Sequence, residues 1–256
     1  MRTSLSLLSS LALATASAHA AIIVSYAEVP GQYNSTLQNT SVIDFNSATT
    51  GYQESLTWSG VGTYSPVTVN AADVYGGAGN PDGSNYLVQG ANGPSATTLT
   101  LTNPVSYFGL WWSAGDNQNV LEFYSGTDLV ARFTTASLLT AITADGGYMG
   151  NPATGIFGDG NGTEPYAFVN FFGEDEGVSW DRIVFTNESG SGFESDNHTV
   201  RDLTWGGYGG ETGPLPGNLV ARVEGNNVTL IPEPASAVLG MLGCFTLLLR
   251  RRRASI

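Results

Sequence analysis

From Ser41 onward the chain alternates short runs of Val, Thr, Phe, Tyr and Trp with clusters of Gly, Asn, Asp and Pro. Within the runs, apolar residues recur at every second position. Leu99 and Leu101 stand against Thr98, Thr100 and Thr102, Leu121 and Phe123 against Glu122 and Tyr124, and Ile183 and Phe185 against Arg182 and Val184. A period of two sends successive side chains to opposite faces, so each run reads as a strand with one buried face. The pattern predicts strands at 42–46, 56–64, 67–69, 85–89, 97–102, 105–112, 120–124, 129–133, 166–172, 180–187, 193–205 and 219–223, with 21–26 also strand-like. Ser125-Gly126-Thr127-Asp128 reads as the turn of a hairpin, and 136–144 as one short helix.

Many short strands, one helix and 33 glycines argue for an all-β antiparallel β-sandwich of jelly-roll type. An outer-membrane β-barrel is the competing all-β fold, but it needs regular crossings of about 9–11 residues, and these runs are shorter and less even. The body is expected over 21–205, with a linker and the last strand or strands over 206–230.

Both ends carry a different signature. Arg2, the apolar run 5–16 and Ala18-His19-Ala20 have the order of a secretory signal peptide over residues 1–20, cut after Ala20. At the other end, Ile231-Pro232-Glu233-Pro234 precedes an uncharged apolar run, 235–249, and then Arg250, Arg251, Arg252 and Arg253. As a helix that run would satisfy its own backbone in lipid. It is shorter than the usual span of about 20 residues, a deficit that arginines reaching to the headgroups can cover. The arginine cluster belongs on the cytoplasmic side, which puts the body outside. Pro232 and Pro234 keep the segment before the helix extended and open to a protease.

The order of Pro-Glu-Pro, apolar helix and arginine cluster over 231–256 resembles the PEP-CTERM sorting signal of Gram-negative bacteria. The resemblance implies processing at or near Pro232, Glu233 and Pro234 by an exosortase, an integral-membrane transpeptidase. It also implies a membrane-anchored precursor, transiently inserted in the inner membrane, and then display on the cell surface or release outside the cell. A second series, Phe108-Gly109-Leu110-Trp111-Trp112, then 119–125, Asn170-Phe171-Phe172, Trp180-Asp181-Arg182-Ile183-Val184 and Phe193-Glu194-Ser195-Asp196-Asn197, is similar to exosortase-dependent surface proteins with a single all-β body. That resemblance implies surface display and brings no catalytic residues.

Charge narrows the partners. Without the two terminal signals, Arg2 and the four tail arginines are lost, leaving four basic residues against 22 acidic ones, a net charge of −18 on a body with no lysine. Such a surface repels nucleic acid and anionic lipid. The single cysteine, Cys244, lies in the apolar tail, which removes disulfides, thiolate metal sites and a cysteine nucleophile from the body. About 210 residues suffice for a core without such staples.

His198 is the only imidazole left after export, it is expected at a strand end or on the surface, and no Gly-x-Ser-x-Gly elbow accompanies it, so a Ser-His-Asp triad is not expected. Glu122, Glu174, Asp175, Glu176, Glu194 and Asp196 could supply the paired acids of a glycoside hydrolase. The preferred use of carboxylates is a structural calcium ion. Glu194 and Asp196 project from one face of a strand, Asp44 and Asn46 are expected beside them, and Asp159 with Asn161 forms a second, looser candidate. Trp111 and Trp112 point to opposite faces of their strand, and the outward one is a candidate glycan contact. The sequence reading is therefore an exported, non-enzymatic surface or matrix protein with a structural or adhesive role and extracellular polysaccharide as partner. A carbohydrate-binding module and a carboxylate glycoside hydrolase are the alternatives.

Overall fold

The computed structural model describes residues 20–79, 82–153, 155, 157–158, 160–175, 177–201 and 215–231. Its strands form two antiparallel sheets packed face to face. The larger sheet runs, edge to edge, through β16 (Asn227–Leu230), β15 (Asn218–Glu224), β1 (Ala21–Tyr26), β12 (Ala167–Gly173), β9 (Tyr107–Ser113), β14 (Phe193–Arg201), β7 (Tyr86–Gln89), β6 (Val67–Asn70) and β3 (Gly51–Gln53), with β2 (Thr40–Ile43) also paired to β14. The smaller runs through β11 (Asp128–Thr134), β10 (Asn119–Ser125), β13 (Trp180–Asn187), β8 (Ala96–Val105), β5 (Gly62–Ser65) and β4 (Leu56–Trp58). The expected all-β sandwich is the fold observed.

The alternation read from sequence sets the core. Leu99, Phe123, Ile183 and Phe185 of the smaller sheet meet Ile22, Val24, Phe108, Leu110 and Phe171 of the larger. The helix α1 (Ala136–Asp145) turns Leu138 and Ile142 into the same core and ends at Gly146 in the left-handed conformation. At about 25 cal/mol per Å² of apolar surface removed from water, this continuous aromatic layer is the main source of stability in a body without covalent staples.

Departures from the expected strands have local causes. Residues 56–64 form two strands rather than one, because Gly60 takes a positive φ of 76° and turns the chain between β4 and β5. The short edge strands β3 and β16 carry too few residues to show a period. β1 begins one residue after the expected signal-peptide cut and lies in the sheet interior between β12 and β15. Since β15 pairs with β1 and β16 with β15, residues 218–230 belong to the sandwich itself. Among the described residues no helix is long and apolar enough to cross a membrane, and the apolar run 235–249 lies outside them.

One irregularity governs everything near the candidate site. On β14, Asp196 pairs with Trp111 and Thr199 with Gly109, so three steps along β14 match two along β9. This is a β-bulge, and Asn197 occupies it with φ of 47°. The extra residue resets which side chains face inward: Ser195 and His198 both turn to the core, while Glu194 and Asp196 turn to the outer face. The bulge also divides the flank of β14, which pairs with β7 over Phe193–Ser195 and with β2 over His198–Arg201.

Candidate functional site: an acid-lined cleft

The outer face of the larger sheet is covered near β14 by the segment 73–79. Asp73 folds it, its carboxylate accepting the amides of Tyr75 (2.8 Å) and Gly76 (3.1 Å). Tyr86 donates to Asp73 at 3.1 Å and Tyr166 to the Val74 carbonyl at 2.7 Å. The indole of Trp111 donates to the Gly77 carbonyl at 3.2 Å. Gly77 has φ of 96°, and a side chain there would run into the Ser84 carbonyl, so only glycine lets the segment lie this close.

Beside this segment opens a cleft of about 410 Å³. It is lined by Asp73 and Tyr75, by Tyr86 and Val88 of β7, by Asp116, Glu164, Ser191 and Glu194, and by Asn70 and Asn92. Four acids thus converge from four separate places in the sequence, and the lining includes no arginine. Each is held. Asp116 accepts the Ser191 hydroxyl (2.6 Å) and the Gln118 amide (2.6 Å), and Asn161 donates to the Glu164 carboxylate. Gly192, with φ of 153°, leaves the space against which the Glu194 carboxyl packs.

Burial pushes the Glu194 carboxyl up to about 8, and the nearby carboxylates of Glu164, Asp116 and Asp73 add to the rise while its own backbone amide opposes it. Glu194 is therefore a neutral acid at pH 7, able to donate a proton inside a cleft of acids. Tyr75, about half exposed, is the aromatic face offered in the cleft.

The structure separates the residues that sequence reasoning grouped. Glu194 and Asp196 do share the outer face, but only Glu194 lines this cleft. Asp196 is fully buried, its carboxyl engaged by Ala78, Ser84 and Asn197. Asp44 and Asn46 do come to this part of the sheet and line a second concavity with Tyr33, Asn34, Ser84 and Asn197. Among the described residues, however, no three His, Cys, Asp or Glu side chains converge as metal ligands, so the expected calcium set at Glu194, Asp196, Asp44 and Asn46 is not assembled. Asp159 lies outside the described residues, and Asn161 serves to hold Glu164 and to contact Tyr166 (3.1 Å).

Two expectations are corrected. Trp111 and Trp112 are both buried and neither can stack on a glycan. Trp112 faces the core side and donates to Asn119 at 2.7 Å, and the outward Trp111 is roofed by the 73–79 segment. His198 is no surface residue: it is fully buried among Phe45, Tyr64, Phe108 and Phe185. Of the acids available for glycoside hydrolysis, Glu122 pairs with Arg132 and Glu174 with Arg222. Pro232, Glu233, Pro234 and Arg250 to Arg253 lie outside the described residues.

Sequence reasoning missed Asp73, Tyr75 and Asp116, and met Glu164 only at the end of the loop weighed for calcium at Asp159 and Asn161. Each sits in a Gly- and Asn-rich loop, where acids are ordinary solvated turn residues, and only the clustering of these loops on one sheet face distinguishes them.

No family model and no curated protein matches the chain. Among solved structures it is similar to the catalytic domain of a GH87 alpha-1,3-glucanase in complex with nigerose, at 14% identity and a TM-score of 0.36, over 65% of this chain and 29% of that one. A variant of that domain in complex with tetrasaccharides gives 14% identity and a TM-score of 0.32, over 72% and 29%. This chain thus spans less than a third of the proteins that it matches, and scores of this size do not establish a common fold. The expectation of a body that is not an enzyme is withdrawn on the cleft, which gathers four acids, one of them raised to about 8. The question of catalysis passes to the cleft itself.

Proposed function

We propose that this chain is an exported protein of the cell surface or extracellular matrix whose acid-lined cleft takes a segment of an uncharged or cationic polysaccharide. One observation carries the reading: an exposed aromatic, Tyr75, lines a cleft that also presents four carboxyl groups and two side-chain amides. Sugars offer apolar ring faces for stacking and many hydroxyls for planar acceptors, and a site of this volume with a few convergent polar groups suits a short glycan segment. Export and exosortase processing rest on the terminal motifs of the sequence, in particular Pro232-Glu233-Pro234.

A second reading has its own support. Glycoside hydrolysis needs a carboxylic acid kept protonated near neutrality and a second carboxylate across the substrate. Glu194 is the proton donor in that scheme, and Asp73, Asp116 and Glu164 are the groups from which the partner carboxylate would come.

The test is a glycan array probed with the secreted protein and its Tyr75→Ala variant, followed by incubation of every bound glycan with the wild type and analysis for shortened products. Selective binding that falls at least tenfold in Tyr75→Ala supports the cleft, and new reducing ends support the second reading. Absence of any selective glycan, or binding indifferent to Tyr75, overturns the proposal.

A further inference from the structure

Asp196 is a carboxyl group without access to water, and its hydrogen-bond partners can be counted. One oxygen accepts the Asn197 amide at 2.6 Å. The other accepts the Ala78 amide at 2.8 Å and contacts the Ser84 hydroxyl. Ser84 also reaches the Ala78 carbonyl at 2.9 Å and the Ala78 amide at 3.1 Å. A serine has a single hydroxyl proton. If Asp196 is ionised, that proton must turn to the carboxylate, and the Ala78 carbonyl loses the donor it has among the described residues. If Asp196 is neutral, its own O–H donates to Ser84, Ser84 donates to the Ala78 carbonyl, and every group in the ring is satisfied. Ala78 is fully buried, so an unmet carbonyl there carries the full desolvation cost.

We propose that Asp196 is a latch that works in its protonated form: as a neutral acid it seats the 73–79 segment on β14 and so positions Asp73 and Tyr75 in the cleft, and loss of its proton to solvent loosens that segment.

The surroundings agree. Burial is the main cause that pushes this carboxyl up to about 7, and Asp44, on the turn after β2, adds to it, while the three donors oppose. The other titratable groups nearby are Glu194 on the same strand, Tyr33 lining the adjoining concavity, and Asp73 with Tyr86 at the far end of the segment. None brings a positive charge. His198 turns to the opposite face of the sheet, where its ring nitrogens meet Tyr64 and Ser195. The bulge at Asn197 is what permits this division, sending Asp196 outward and His198 inward within three residues. The latch does not depend on what the cleft binds, so it stands or falls apart from the polysaccharide reading.

The test is hydrogen exchange of the 73–79 amides in the secreted protein between pH 5.5 and 8.5, corrected for the intrinsic pH dependence of exchange, with Trp111 fluorescence as a second readout. Asp196→Asn removes the titrating proton while its amide can still donate to Ser84, provided the Ala78 amide turns from the side chain to the Ser84 oxygen, which it already reaches at 3.1 Å. In the wild type, exchange should rise above pH 7 by up to about tenfold per pH unit, as expected when opening is coupled to one proton. Asp196→Asn should stay protected and lose the pH dependence, and Asp196→Ala should be unprotected at both ends of the range. If Asp196→Ala does not fold, Ser84→Ala replaces it, with faster exchange expected at pH 5.5. Wild-type protection that is flat across the range, or Asp196→Asn as open as the disrupted variant, overturns the latch.

Discussion

The hydroxyl oxygen of Ser195 lies 3.0 Å from Nε2 of His198, three residues along the same strand, and neither side chain is exposed. Two residues on one strand face can approach this closely only because the bulge at Asn197 places both on the inner side. The other ring nitrogen meets the Tyr64 hydroxyl at 3.0 Å, and the imidazole stacks on Phe185 with an interplanar angle of 10°. A serine and a histidine in contact suggest nucleophilic chemistry, but this pair is sealed inside an aromatic box, and burial holds His198 down to about 3, so it stays neutral. Its role is to fill the core and satisfy two buried hydroxyls.

His198→Ala should therefore destabilise the protein by about 3 kcal/mol, combining a cavity with two orphaned hydroxyls, and Ser195→Ala by about 1 kcal/mol. Urea denaturation measures both. A fluorophosphonate probe should leave Ser195 unlabelled, and labelling would show that the box opens.

Stability should fall as pH rises from about 5 to 9. Glu194 and Asp196 are raised from 4.5 and 3.8 to about 8 and about 7, so the folded state binds protons that the unfolded state has released, and the stability they contribute is lost as pH rises through the folded values. His198, lowered from 6.5 to about 3, works the other way, and its contribution is lost as pH falls below 6.5 toward 3. Two protons outweigh one between about 4.5 and 6.5. A melting series should thus show its maximum Tm at about pH 4 to 4.5, several degrees above that at pH 9.

Glu194→Gln removes one of those protons without changing shape. At pH 5 its Tm should match the wild type, and at pH 9 it should be more stable by about 1–2 kcal/mol, because the wild type must then ionise a carboxyl among three others. Glycan binding should survive the substitution. If the protein shortens glycans, that activity should fall at least a hundredfold.

Asn197 tests the bulge. Both Asn197→Gly and Asn197→Val lose the amide's bonds to the Tyr33 carbonyl and the Asn34 side chain, each 3.0 Å. Only valine is strained at a φ of 47°. Asn197→Val should be less stable than Asn197→Gly by about 2 kcal/mol in denaturant titration. Equal stabilities would mean that the strand had slipped to a regular register.

Mass spectrometry of the C-terminus of the native protein should place its end near Pro232-Glu233-Pro234. A protein still carrying Arg250 to Arg253 would be a membrane-anchored one, and the reading of a sorted surface protein would fail.

The alternation of Leu99, Leu101, Leu121, Phe123, Ile183 and Phe185 was sufficient to specify a two-layered all-β body, because side-chain direction in a strand depends only on the residue's own place in the run. The limits of the hairpin at Gly126 and of the helix after Thr135 were local in the same way. The terminal signals, too, are read from composition and order alone. Where Trp111, His198 and the cleft acids lie was decided by tertiary structure. Strand parity made one of Trp111 and Trp112 outward; the fold makes it Trp111, which is nevertheless buried because a segment more than thirty residues earlier folds over it. Strand parity for His198 is reversed by a single extra residue whose partner strand lies far off in the chain. Asp73, Asp116, Glu164 and Glu194 come from four loops and strand ends that only sheet pairing brings together; burial in that assembly raises the Glu194 carboxyl, and the three neighbouring carboxylates add to it.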